Sequence, residues 1–289
     1  LPMGFMCHTG DLSWDDLLRW IREGEELGYD SFCATEESGK EAFALLALAA
    51  RETSRLRLAT TILNFYSRSP TLLAMGARSI DDLSGGRFGP FGLGTGGIGF
   101  MTRGHGIRIE RPLARAKEAV EIVRGLLGER RFSYDGIWYS PHDFHLREGP
   151  LERRVPIWLA ALGPKMVGLA ARIADGFVAN WLTEETLAEY RAIVAENAAK
   201  AGRDPAEITV ATLLMVCADP GDQEAVHAAR RALAFYCASD HYLHIADVCG
   251  LGDDARRVKE AWERKDFDAA TRLVSDALLA KFCLSGPPE

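Results

Sequence analysis

No uninterrupted apolar run in this chain is longer than the nine residues 42–50. A membrane-crossing helix needs about 20, so no membrane span is expected. No basic segment followed by an apolar stretch marks a secretory leader. Positive charge is in deficit, with 34 Lys and Arg against 41 Asp and Glu, a net −7. The arginine pairs at 130–131, 153–154, 230–231 and 256–257 are scattered, so no nucleic-acid surface is expected. Cysteine is sparse: six residues in 289, and no CxxC pair. That excludes a disulfide scaffold and points to a reducing cytoplasm. His241 and His244, flanked by Cys237 and Cys249, match no common zinc spacing, and no metal site is expected. HExxH, GxSxG and a P-loop are all absent.

What is present reads as a globular chain. Apolar residues make up 47% and charged residues 26%. The length suits two domains or one α/β barrel of about 250 residues. Short β-runs at 3–6, 31–34, 56–63, 87–93, 157–160, 176–180 and 208–217 alternate with helical stripes. Ser13 and Ser69-Pro70 open helices, Gly85-Gly86 closes one, and Pro112 opens another. The text is helical from Asp222 to about Cys283, with breaks at Gly250 and Gly252. Residues 129–156 interrupt the alternation as an insertion, with a β-hairpin expected around Asp135-Gly136. Strand–helix alternation predicts βαβ units and a parallel sheet. No GxGxxG follows the first strand, so a (β/α)8 TIM barrel is favoured over a doubly wound sheet. The whole chain, 1–289, is read as one barrel domain, and the last βα unit is expected beyond Glu289.

In such a barrel the chemistry lies at the carboxyl ends of the strands. The residues there are Cys7 and His8, Glu36 and Glu37, Asn64, Tyr66 and Arg68, the loop Thr95–His105, Leu162–Lys165, and Asn180-Trp181. Gly163-Pro164 opens a helix straight after a strand. Its free amides, with Lys165 beside them, suit a phosphate, although an ordinary strand-to-helix turn reads the same. Glu36 is a catalytic candidate, or a helix cap. His105 is a proton-donor candidate, or a surface histidine. Tyr66 and Trp181 would stack on a planar ring, or simply pack. Pro90 cannot donate to a central ladder, so a bulge is expected there.

Several of these segments resemble one family. Leu83-Ser-Gly-Gly-Arg-Phe88, Gly92-Leu-Gly-Thr-Gly96, the stretch from Val155 to Met166, Ile173-Ala-Asp-Gly176 and Asn180-Trp-Leu182 resemble the luciferase-like flavin and deazaflavin oxidoreductases. Thr35-Glu36, Ser67-Arg-Ser-Pro70, His105-Gly106 and Arg111-Pro-Leu-Ala-Arg115 are similar to the branch that uses coenzyme F420, related to methylenetetrahydromethanopterin reductase. The resemblance implies a barrel with an insertion, usually homodimeric, that transfers a hydride to or from C5 of a deazaflavin. It implies a cis peptide at Thr61–Ile62, and ring contacts from Asn64 and from Thr95, Gly96 and Gly97. It also implies phosphate contacts from Ala161, Leu162 and Gly163, continuing through Pro164 and Lys165, with Asn180 and Trp181 near the tail. Sugar-phosphate dehydrogenases of this family carry a catalytic His where Glu36 stands, and a Glu where Gly97 stands. The proton is therefore assigned to Glu36, His105 or Tyr66, or to bound water. The expected substrate is a small molecule or peptide with an electrophilic C=C or C=N bond, such as a dehydroamino acid. FMN-dependent monooxygenation and cofactor binding without turnover are the alternatives.

Overall fold

Seven β-strands join one sheet in the order in which they occur in the chain. The structure is a computed structural model describing residues 2–7, 9–10, 12–217, 221 and 223–285. His8, Asp222 and residues 286–289, named above, lie outside the described residues. The strands are β1 (Gly4–Phe5), β2 (Ser31–Ala34), β3 (Arg57–Asn64), β4 (Phe88–Gly94), β5 (Ile157–Ala160), β6 (Gly176–Asn180) and β7 (Thr209–Leu213), hydrogen-bonded in the order β1 to β7. The pairs from β1 to β6 are parallel. A doubly wound sheet reverses its strand order at a switch point. This one does not, and it follows the sequential order of a barrel.

The helices between them are α1 (Trp14–Glu26), α2 (Ala42–Glu52), α3 (Pro70–Ser84), α4 (Pro112–Gly128), α5 (Pro164–Ile173) and α6 (Glu184–Lys200). Their ends obey local chemistry. Ser13 accepts the Asp16 amide and Ser69 the Leu72 amide, while Gly85 closes α3 at φ 65°. None of the helices is long and apolar enough to cross a membrane, among the described residues.

The chain divides into two compact units. The first comprises residues 1–161, 168–178 and 197–209, and buries Leu17 and Ile21 of α1, Leu45 and Leu46 of α2, and Phe32, Leu58, Phe91 and Leu159 of the sheet. The second comprises residues 162–167, 179–196 and 210–289, with a core of Trp181, Leu233, Ile245, Val258, Leu278 and Phe282.

Two expectations are corrected. No hairpin ladder forms around Asp135-Gly136. One antiparallel bridge, Phe132 to Phe144, closes a wider loop. The buried Glu118 carboxylate takes the amides of Ile137, Trp138 and Tyr139 at 2.9, 2.9 and 3.1 Å, so those donors are lost to a hairpin. The run 208–217 breaks at Leu214 into β7 and β8 (Met215–Cys217). β9 (Cys283–Ser285) pairs in parallel with β8 as a separate two-stranded sheet and does not join the seven strands. Three residues are too few to show a strand period. Five helices precede it: α7 (Gln223–Cys237), α8 (Asp240–Val248), α9 (Gly252–Glu263), α10 (Phe267–Leu273) and α11 (Asp276–Phe282).

Glu25, on α1, accepts the amides of Ser54, Arg55 and Leu56 at 2.9, 2.6 and 2.9 Å. Partial burial works to raise its pKa, but these three amides outweigh it and hold the carboxyl below its ordinary value. A depressed folded pKa gives stability that is full above the ordinary value and lost as pH falls through the folded one. Thermal melts below about pH 4.5 are expected to show a smaller acid-induced loss for Glu25→Gln than for the parent protein. Parallel losses would remove Glu25 as a source of acid sensitivity.

Candidate active site

The β3–β4 pair builds the floor of the strand-end region in the first unit. Register shifts occur between Leu58 and Thr60 and between Thr60 and Leu63. The first places one extra residue in β4, beside the cis bond Gly89–Pro90, where a bulge is expected. The second places one in β3, beside the cis bond Thr61–Ile62, so the strands return to register at Leu63–Leu93. The Ile62 side chain lies across β4, where only glycine leaves room. A Cβ on Gly94 would stand 2.8 Å from Ile62, and one on Gly92 would stand 2.0 Å from the Thr60 carbonyl oxygen. The Gly-Leu-Gly spacing of β4 thus serves close strand approach rather than dinucleotide binding.

Around this floor the structure gathers four of the strand-end residues. The Glu36 amide donates to the Ile62 carbonyl at 3.2 Å. The Glu36 carboxylate accepts from Arg68 Nε and Nη2 at 2.9 and 2.6 Å, and from Asn64 Nδ2 at 3.3 Å. Arg68 also donates to Glu41, whose carboxylate caps α2 at the Phe43 and Ala44 amides. Burial alone would lower the Arg68 pKa, but its bonds to Glu36 and Glu41 more than reverse this and raise it. Asn64 is buried, and its Oδ1 accepts from Tyr66 N, Ser67 N and Ser67 Oγ at 3.1, 2.7 and 2.9 Å. Both ends of the Asn64 amide are thereby oriented. Gly96, at φ 74°, approaches Asn64 so closely that a Cβ there would stand 3.4 Å from the asparagine Cβ.

Tyr66 donates its hydroxyl to the Glu110 carbonyl at 2.7 Å and stacks on Phe65. Burial pushes that hydroxyl up to about 12, so it keeps its proton at neutral pH. His105 is exposed and meets the Phe100 ring edge-on at 4.7 Å, without joining the Glu36–Asn64 group. It ends a π-helical turn, Phe100–Gly104, inside the expected glycine loop. Thr95 Oγ1 bonds to the Gly96 carbonyl. Gly97 is exposed, and the nearest atom to a Cβ there is in Phe100 at 4.0 Å. Glu118, Arg115 and Trp138 were not legible as site neighbours. Arg115 and Trp138 are brought to Tyr66 by contacts across some 50 to 70 residues of chain.

In the second unit, α5 starts at Pro164, and the Met166 and Val167 amides turn back to the Gly163 carbonyl. No atom lies within 4 Å of a Cβ built on Gly163, so the approach to this helix start is open. Lys165 is exposed, and the Leu162 carbonyl accepts the Tyr190 hydroxyl at 2.6 Å. Asn180 Nδ2 donates to the Tyr242 hydroxyl at 3.1 Å. Trp181, at φ 60°, is buried and stacked on Phe282 at 4.2 Å. One face of its indole is therefore spent on packing. The open room at Gly163 leaves the amides at the start of α5 accessible to an anion.

Sequential parallel strands with polar residues gathered at their carboxyl ends define an α/β barrel-type scaffold with its candidate site at the strand ends. The chain belongs to the luciferase-like monooxygenase family, whose model matches residues 3–289. It is 28% identical over 285 residues to 5,10-methylenetetrahydromethanopterin reductase of Archaeoglobus fulgidus, covering 96% of this chain and 84% of the relative. Among solved structures, the coenzyme F420-dependent tetrahydromethanopterin reductase of Methanopyrus kandleri superposes with a TM-score of 0.79 at 22% identity, covering 98% of this chain and 92% of that one. An F420-dependent secondary alcohol dehydrogenase also superposes at 0.79, at 20% identity, covering 98% and 85%. These likenesses establish the fold.

Proposed function

We propose that the chain is a coenzyme F420-dependent oxidoreductase acting on an electrophilic C=C or C=N bond. The match along 96% of the chain to a methylenetetrahydromethanopterin reductase carries this reading. The bound deazaflavin would supply or accept the hydride at C5, and the protein would position the reactants and handle protons. In the first unit, Ile62, Asn64 and Thr95–Gly97 would line the ring, and Glu36 would hold the Asn64 amide in one orientation. In the second unit, Leu162–Lys165 would take the tail phosphate at the start of α5, with Asn180 and Trp181 beyond β6. Glu36, His105 and Tyr66 are the proton carriers offered by this chain. The substrate would be a small molecule or a peptide in the cytoplasm, such as a dehydroamino acid made during biosynthesis.

A homodimer fits the same reading. Leu72, Met75 and Leu83 form an exposed apolar stripe along α3, and Leu48 of α2 is also exposed. Fluorescence titration with oxidised F420 and, separately, with FMN is expected to show saturable binding of F420 and none of FMN. The reverse result would favour a monooxygenase. F420 binding without turnover on a panel of imines and enones would favour a binding protein. Sedimentation of the same sample as single chains would remove the homodimer.

A further inference from the structure

The segment leading into α4 reverses the charge balance of the chain. Residues 103–115 hold Arg103, Arg108, Arg111 and Arg115 against one acid, Glu110. Among the described residues, no salt bridge is made by Arg108, Arg111 or Arg115. Arg115 is the informative one. It is half-buried in the first turn of α4, its guanidinium carbon 4.7 Å from the Tyr66 ring centre and 4.3 Å from that of Trp138. Its Nε is buried and has no hydrogen-bond partner. The nearby acid on the same helix face, Glu118, is committed to the amides of Ile137, Trp138 and Tyr139.

A partly desolvated cation without a counter-charge is costly, and the cost falls when an anion reaches it. The two rings fix the plane of the guanidinium and leave its edge as the hydrogen-bonding surface, part of which faces the neutral Tyr139 hydroxyl and none of which meets a counter-charge. A planar carboxylate or a phosphate oxygen matches that edge. Tyr66 follows two residues after Asn64 at the end of β3, so the cation stands beside the strand-end group built on Glu36, Asn64 and Arg68. Arg68 cannot serve the same purpose, because Glu36 and Glu41 already neutralise it.

We propose that Arg115 is a substrate-binding residue that takes a carboxylate or phosphate group of an anionic substrate, with Arg108 and Arg111 attracting it by charge. Calling the ligand a substrate rests on the F420-dependent reading; the anion site itself does not.

Benzoate and phenyl phosphate serve as probes, titrated calorimetrically into the full chain at low ionic strength, with and without F420. The parent protein is expected to bind at least one probe. R115M, which keeps a flexible apolar stem between the rings, is expected to weaken it by about tenfold to a hundredfold, the range of a charge-assisted hydrogen bond. R115K is expected to fall between them. R108Q/R111Q is expected to lose affinity at low salt and little at high salt. F420 affinity is expected to be unchanged in R115M. If R115M does not fold, as read by circular dichroism, R115K and R108Q/R111Q carry the test. The anion site is overturned if the parent protein binds neither probe, or if the Arg115 variants bind as it does. Arg115-dependent binding in a protein that fails to bind F420 keeps the site and overturns the F420 reading. Stronger binding of phenyl phosphate than of benzoate assigns the group as phosphate, and the opposite order as carboxylate.

Discussion

Arg68→Met is expected to destabilise the first unit by about 3 kcal/mol, because it strands a largely buried carboxylate. The side chains of Glu36 and Arg68 are 12% and 16% exposed, so water cannot readily replace the lost cation. Two Arg68 nitrogens engage Glu36, and one of them also reaches Glu41. Without them Glu36 keeps only the Asn64 amide at 3.3 Å as a side-chain donor, and Asn64 loses a fixed partner. Glu41 is less affected, since its carboxylate is half exposed and still caps α2. Replacing both members, as in R68M/E36Q, is expected to recover much of the loss, because no unpaired charge remains. Urea unfolding of the two single variants and the double variant gives the coupling directly. A single variant R68M as stable as the parent protein would show that the pair is solvated in practice. Turnover should fall in both R68M and E36Q if Glu36 acts by orienting Asn64, whereas loss in E36Q alone would favour a direct proton role.

The parts of the fold that were legible are those written in local chemistry. Ser13, Ser69-Pro70 and Gly85 mark helix ends through hydrogen bonds or a positive φ made within a few residues. The strands at 31–34, 157–160 and 176–180 lie where the apolar runs put them, because a buried parallel strand needs only such a run. The hairpin expectation failed because Asp135-Gly136 carries a turn signal that a distant carboxylate overrules. Glu118 lies some 20 residues away, and it captures the amides a ladder would have used. The π-helical turn at Phe100–Gly104 sits in a glycine-rich stretch with no period to announce it. The site divides in the same way. Asn64, Tyr66 and Ser67 are neighbours in sequence and in space, whereas the Arg115 stack joins three separate segments. A strand-end rule finds the former and has no access to the latter.

Gly92→Ala is expected to prevent normal folding or to cost about 3 kcal/mol, at the upper end of overpacking. The new Cβ would stand 2.0 Å from the Thr60 carbonyl oxygen and 3.0 Å from its carbon. Those are backbone atoms of the neighbouring strand, so no rotamer change can relieve the clash. Moving β3 away would pull on the Thr60–Phe91 and Leu63–Leu93 pairings, and on the bond from Thr60 Oγ1 to the Gly92 carbonyl. Gly163→Ala is the contrasting case, since its Cβ would meet nothing within 4 Å. Its stability is expected to stay within about 0.5 kcal/mol of the parent protein. Its F420 affinity is expected to fall, because the methyl group would occupy the space through which a phosphate approaches the amides of α5. Paired melts and F420 titrations separate the two effects. Normal folding of Gly92→Ala would mean that β3 and β4 are less tightly apposed than described. Unchanged F420 affinity in a folded Gly163→Ala would move the phosphate contact elsewhere. Gly92 is thus required by the protein's own backbone, whereas a Cβ at Gly163 meets nothing and is expected to matter only to a ligand, although both stand in glycine-containing turns or strands that a sequence pattern treats alike.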